Sequence, residues 1–134
     1  MPLSLSIVTP SRAVVNAEVD SVIAPGVEGE LGILPGHAPF LIGLKPGVVR
    51  YSEGGEVTRI AIGGGLAEVT QERVTVLAPT AESPEQIDAA EAESRRAAAA
   101  AALDQAGYLA PEDELTRLRE ALERAQARVD VLEH

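Results

Sequence analysis

Apolar and polar positions alternate along the first two-thirds of the chain and recur every third or fourth residue along the last third. Leu3, Leu5 and Ile7 alternate with Ser4 and Ser6 before Pro10, which is the period of a half-buried strand. Residues 19–24 and 73–77 are further short runs rich in β-branched side chains. Residues 48–52 and 57–62 flank Glu53-Gly54-Gly55-Glu56, a hairpin signal. With Gly and Pro recurring roughly every ten residues, the pattern predicts nine or ten short strands in a sandwich or flattened barrel. Ile7, Val22, Ile33, Val76 and Leu77 are expected in its interior or where a helix meets the sheet.

Beyond residue 83 the period changes. Ser83-Pro84-Glu85-Gln86 reads as a capping box with Pro at the first helical position. It predicts a helix over about 84–105, with Gly107 past its end. A second helix is expected over about 111–133, opened by the acidic turn Glu112-Asp113-Glu114. Its apolar residues Leu115, Leu118, Leu122, Ala125, Val129 and Leu132 are spaced three or four apart, as in a coiled-coil seam. Two helices of about 23 residues, roughly 34 Å each, joined by a short connection, predict an antiparallel hairpin. Helix one carries an unbroken alanine run over 97–102, which favours helix but buries only methyl groups. The chain therefore divides into 1–83, a β domain able to enclose its own core, and 84–134, a helical hairpin.

Composition narrows the chemistry. A chain of 134 residues holds one full domain and an appendage. Its core must be aliphatic, because Phe40, Tyr51 and Tyr108 are the only aromatics. With no cysteine, disulfides, thiolate metal sites and cysteine nucleophiles are excluded. No apolar run approaches the ~20 residues of a membrane span, and the N-terminus lacks a basic region followed by an apolar stretch. A formal net charge of −10 argues against nucleic acid and anionic lipid. Membrane association is expected only through another protein.

Catalytic constellations are missing from the sequence. Its two histidines are His37 and the terminal His134, and there is no GxSxG elbow or Walker A segment. Gly63-Gly64-Gly65 is followed by the strand pattern Leu66-Ala67-Glu68-Val69-Thr70, whereas a phosphate cradle needs a helix N-terminus there. A kink or bulge within a strand is expected instead. Glu28 and Glu30, separated by Gly29, read as an exposed loop rather than an acid dyad. The arginines of helix two, Arg117, Arg119, Arg124 and Arg128, alternate with carboxylates. That face is either a solvated surface laced with i,i+4 pairs or one presented to another protein.

One stretch is far more specific. Residues 29–39, Gly-Glu-Leu-Gly-Ile-Leu-Pro-Gly-His-Ala-Pro, resemble the signature of the epsilon subunit of F-type ATP synthases, called delta in mitochondria. Val8-Thr9-Pro10, Lys45-Pro46-Gly47-Val48-Val49-Arg50, Gly64-Gly65-Leu66-Ala67-Glu68-Val69 and Val74-Thr75-Val76-Leu77-Ala78 follow in the family's order and spacing. The resemblance covers the whole chain. It implies a ten-stranded β-sandwich followed by a C-terminal antiparallel two-helix hairpin. It further implies a non-catalytic central-stalk subunit of the proton-transporting two-sector ATPase, coupling c-ring rotation to ATP synthesis. The implied partners are the gamma subunit and the c-ring, with the alpha and beta subunits when the tail is extended. The implied location is peripheral, on the cytoplasmic face of the plasma membrane or the stromal face of a thylakoid.

The resemblance assigns Glu28, Gly29 and Glu30, with His37 nearby, to the interface with gamma and the c-ring. For His37 a structural role beside the Pro35-Gly36 turn is equally open. Arg117, Arg119, Arg124 and Arg128 would make inhibitory contacts in an extended tail. Some bacterial relatives bind ATP on the folded hairpin, and Glu82, Ile87, Asp88, Ala92, Arg124 and Arg128 match that pattern. Glu91 stands where an arginine is expected, and Ala98 where another basic residue would be. A carboxylate there repels a polyphosphate, so ATP binding should be weak or absent and no cofactor is expected. The alternatives are an ATP-sensing regulatory module and an unrelated β-sandwich adaptor with a coiled-coil arm.

Overall fold

In the computed structural model, which describes residues 2–133, the alternation of the first half becomes eight β-strands. They are β1 (Leu3–Val8), β2 (Ala13–Val19), β3 (Ser21–Gly26), β4 (Gly29–Ile33), β5 (Phe40–Glu53), β6 (Glu56–Val69), β7 (Arg73–Leu77) and β8 (Ala81–Glu82). Met1 and His134, the ends of the two expected domains, lie outside the described residues. Hydrogen bonding runs in the order β2-β1-β7-β6-β5-β3-β4, with β8 added to β6. Among the described strands only β1 and β7 pair in parallel. Although β2 and β5 lie far apart in that order, Val15 and Val19 of β2 share one core with Val49 and Tyr51 of β5. The sheet thus folds over on itself as a sandwich, with Leu3, Leu5, Ile7, Val22, Ile33, Val74 and Val76 sealed between its layers.

The strand count is eight among the described residues rather than ten. The difference lies in β5 and β6, each 14 residues long, which run straight through the Pro and Gly positions expected to end them. Pro46 faces Gly63 in unbroken antiparallel register, Leu44 faces Gly65, and no partner slips. Gly64 and Gly65, with φ of 88° and 138°, bend the ladder without interrupting it. The connecting turn uses Gly54 and Gly55, at φ 57° and 86°, the two left-handed positions of a tight hairpin.

Leu77 departs from expectation too. Burial alternates along β7, so Val74 and Val76 point inward and Leu77 is half exposed, opposite Leu66 of β6.

The tail forms α1 (Ala89–Ala106) and α2 (Glu112–Asp130). The helix expected from residue 84 begins at Ala89, because the Ser83 signal closes only a 3-10 turn, Pro84–Gln86. Gln86 reaches back to accept from the Ser83 amide at 2.9 Å. Ile87 then turns extended and buries its side chain, and Asp88 caps α1 by accepting from the Glu91 amide at 2.9 Å. Gly107, at φ 67°, ends the helix.

The hairpin lies folded on the sandwich, with α2 across β5 and β6 and α1 packed on α2. It shares a second, smaller core of Ala61, Ile87, Ala92, Ala127 and Val131, edged by Val48, Val129 and Leu132. The seam expected along α2 is only half-buried at Leu115, Leu118, Leu122, Ala125, Val129 and Leu132. One face of α1 is shielded, comprising Ala92, Arg96, Ala99, Ala100, Leu103 and Ala106. Ala97, Ala98, Ala101 and Ala102 face water.

Candidate functional site

Two surfaces hold the residues singled out by the sequence. The first is the β3–β4 turn. Gly26 and Gly29 close it: a Cβ on Gly26 would stand 2.7 Å from the Gly29 carbonyl oxygen, and Gly29 has φ 133°. Val27 and Glu28 project from its tip into solvent. Glu30 is exposed as well but engaged, since the Arg50 guanidinium on β5 donates to both of its carboxylate oxygens, at 3.1 and 3.2 Å.

His37 sits half-buried in the loop before β5. Its ring meets Phe40 edge-on with centroids 4.9 Å apart, and its Nδ1 lies 3.3 Å from the Ala38 carbonyl. The Gly36 amide donates to Gln71, tying this loop to the β6–β7 turn. Among the described residues no hydrogen bond or ion pair joins His37 to Glu28 or Glu30.

The second surface is a cleft of about 790 Å³ between the sandwich and the hairpin. Its charged lining comprises Arg12, Arg95, Arg124 and Arg128 with Glu82 and Glu91. Arg128, in the last turn of α2, donates from Nε to Glu82 Oε1 at 2.8 Å and from Nη2 to Glu82 Oε2 at 3.4 Å. Its Nη1 donates to Glu91 at 3.3 Å. The hydrogen bond that Arg128 donates to Glu82, against some loss of solvent, raises the Arg128 pKa above its usual value, and Glu91 adds to it.

The residues matched to an ATP pattern are therefore occupied in different ways. Glu82 binds Arg128, Asp88 caps α1, and Ile87 and Ala92 fill the small core. Arg124 is exposed at the cleft, and Ala98 lies outside the lining, where Ala99 takes part. Of the four helix-two arginines, Arg117, Arg119 and Arg124 face solvent, and Arg119 reaches Glu112 at 3.2 Å. Arg128 is turned inward. Among the described residues no i,i+4 ion pair laces α2, which carries this seven-residue span and an i,i+4 hydrogen bond from Gln126 to Asp130 at 2.8 Å.

The Glu91–Arg128 and Glu30–Arg50 pairs were not legible in the sequence. Each joins residues far apart in the chain, by 37 and 20 positions. No helix among the described residues is long and apolar enough to cross a membrane.

The described residues thus form a β-sandwich carrying a docked helical hairpin, with charged residues at a turn tip and at the hairpin seam. Comparison with known proteins gives the class. The family model described as ATP synthase, Delta/Epsilon chain, beta-sandwich domain, matches residues 2–84. ATP synthase epsilon chains of Syntrophobacter fumaroxidans and Desulforamulus reducens are 45% and 42% identical to this chain. The first alignment covers 98% of this chain and 96% of the relative, and the second covers 96% of both. The chain belongs to the ATP synthase delta/epsilon family, a non-catalytic subunit of the ATPase complex.

Solved structures share the fold at lower identity. A chain of the Euglena gracilis mitochondrial ATP synthase, solved as OSCP/F1/c-ring, superposes with a TM-score of 0.81 at 23% identity, covering 99% of this chain and 82% of that one. A chain of the Tetrahymena thermophila mitochondrial ATP synthase central stalk and c-ring gives 0.70 at 13% identity, covering 98% and 97%. Family membership removes the reading of an unrelated adaptor.

Proposed function

We propose that this chain is the central-stalk rotor subunit that couples c-ring rotation to ATP synthesis, and that its tail restrains ATP hydrolysis. The observation that carries this reading is the near full-length match to epsilon chains, sandwich and tail together. The sandwich sits against gamma and the c-ring, and the whole chain is peripheral, at the cytoplasmic face of the plasma membrane or the stromal face of a thylakoid. Glu28 offers the ring a carboxylate with no ion pair among the described residues, on a turn that two glycines keep narrow. Gly29 and Glu30 continue that edge, with Arg50 holding Glu30 in place. His37 supports the neighbouring loop through Phe40.

In the extended tail, Arg117, Arg119, Arg124 and Arg128 reach acidic surfaces on alpha and beta and obstruct rotation in the hydrolysis direction. The test is ATP hydrolysis by the assembled complex with and without residues 84–134. A rise on deletion supports the brake, and unchanged hydrolysis removes it.

A purely ATP-sensing role is disfavoured by Glu91. Its carboxylate lies against Arg128, the guanidinium a polyphosphate would need. Nucleotide would have to displace that contact and tolerate the negative charge.

A further inference from the structure

We infer that Arg128 is a clasp that holds the hairpin shut on the sandwich, with Glu82 as its fixed catch and Glu91 steadying the guanidinium from α1. The inference deepens the reading of the tail as a movable element. It starts from where ion pairs lie. Arg95 and Arg96 pair with Glu91 and Glu93 inside α1, Arg119 pairs with Glu112 inside α2, and Arg50 with Glu30 inside the sandwich. Arg128 differs, because its guanidinium spans three elements: α2, which carries it, β8 through Glu82, and α1 through Glu91.

Its surroundings make the charge matter. The Arg128 and Glu82 side chains are 22% and 31% exposed, the most enclosed of the ion pairs described, so dilute salt screens them only in part and concentrated salt is needed to weaken them. The apolar contact around it is thin. Three of the five buried residues in the small core are alanines, Ala61, Ala92 and Ala127. A contact with so little apolar content leaves the direction of the equilibrium to the polar pair. Glu82 is anchored in a strand paired with β6, so the catch stays with the sandwich when the hairpin leaves. Opening then breaks both hydrogen bonds from Arg128 to Glu82, while Glu91 travels with α1 in the hairpin.

The full chain permits a direct measurement, since it has no native cysteine. Spin labels at Ser11→Cys, on the sandwich, and Ala98→Cys, on the exposed side of α1, report hairpin opening as a long-distance population. Arg128→Met keeps the aliphatic stem and removes the charge, and should raise that population about tenfold, as expected for losing charge-assisted hydrogen bonds. Glu82→Gln should open the hairpin as well. Glu91→Gln should change it by less than about twofold, because the bidentate catch remains. Raising NaCl from about 0.05 to about 1 M should open the native chain and leave Arg128→Met unchanged.

Hydrogen exchange at β1 and β7 shows in the same samples whether the sandwich stays intact. If Arg128→Met unfolds the chain, Glu82→Gln and the salt titration carry the test. An unchanged distance distribution with an intact sandwich overturns the clasp. So does equal opening by Arg124→Met, since Arg124 lines the same cleft and makes no ion pair among the described residues. Because the isolated chain is measured, failure here leaves the rotor assignment standing, and failure of the hydrolysis test leaves these distances unaffected.

Discussion

Gly65 on β6 lies so close under Leu77 of β7 that a Cβ there would stand 2.1 Å from the Leu77 carbonyl oxygen. The obstacle is backbone, and it cannot rotate aside. Gly65 also has φ 138°, a conformation that L-residues avoid. Gly65→Ala should therefore destabilise the isolated chain by more than about 3 kcal/mol. Gly54→Ala, where nothing lies within 4 Å, should cost only the left-handed strain of about 1–2 kcal/mol. Urea unfolding of both variants checks the order, and equal losses would refute the account of the bend.

The two glutamates of the β3–β4 edge should separate on mutation. Glu28→Lys should leave stability within about 0.5 kcal/mol of the native chain, as for an exposed residue with no partner among the described residues. Glu30→Lys sets a cation against Arg50 and gives up an exposed ion pair, for a loss of about 1 kcal/mol. Both should lower ATP synthesis by reconstituted complexes. Normal synthesis in the double reversal would detach this turn from the c-ring.

ATP at millimolar concentration should barely shift the melting temperature of the isolated chain. Linkage reaches ~2.7 kcal/mol only when ligand exceeds its dissociation constant about a hundredfold. Glu91→Arg removes the carboxylate beside Arg128 and should move the chain towards binding. A rise of several degrees for the native chain with ATP, absent with AMP, would contradict the expectation.

Leucine on the shielded face of α1 should strengthen the folded hairpin. Ala99 and Ala100 are the inward members of the alanine run, and Ala99 lines the cleft opposite Ala121 and Ala125. Each leucine that fits can add about 1 kcal/mol or more of burial. Ala99→Leu should therefore raise ATP hydrolysis by the assembled complex. Ala98→Leu, facing water, should not.

How much of this was legible in the sequence follows the range of each signal. Alternation placed Ile7, Val22, Ile33 and Val76 in the core, because strand period is a local property. It misjudged Leu77 by one position, enough to turn a side chain to the other face. The kink expected at Gly63–Gly65 is present inside β6, but β5 and β6 run longer than the Gly and Pro punctuation suggested, since sequence does not show that partner strands bend together and keep their register. Likewise Ser83 signalled a helix start, yet Ile87 was drawn into the sheet contact and Asp88 became the cap of α1. At the candidate sites, residue identities were readable, but which carboxylate Arg128 would choose depended on three segments meeting in space.

The small second core has a consequence for the chain when its tail is away. The sandwich contributes only Ala61 as a buried residue, with Val48 at the edge, while Ile87, Ala92, Ala127 and Val131 belong to the segment that follows β8. Of that small core, lifting the hairpin therefore leaves just Ala61 and the edge of Val48 on the body, too little to make a large apolar patch of it. The stickier half travels with the arm. An undocked molecule would stay soluble while its helices search for another surface, and a chain that opens repeatedly would not clump with its neighbours.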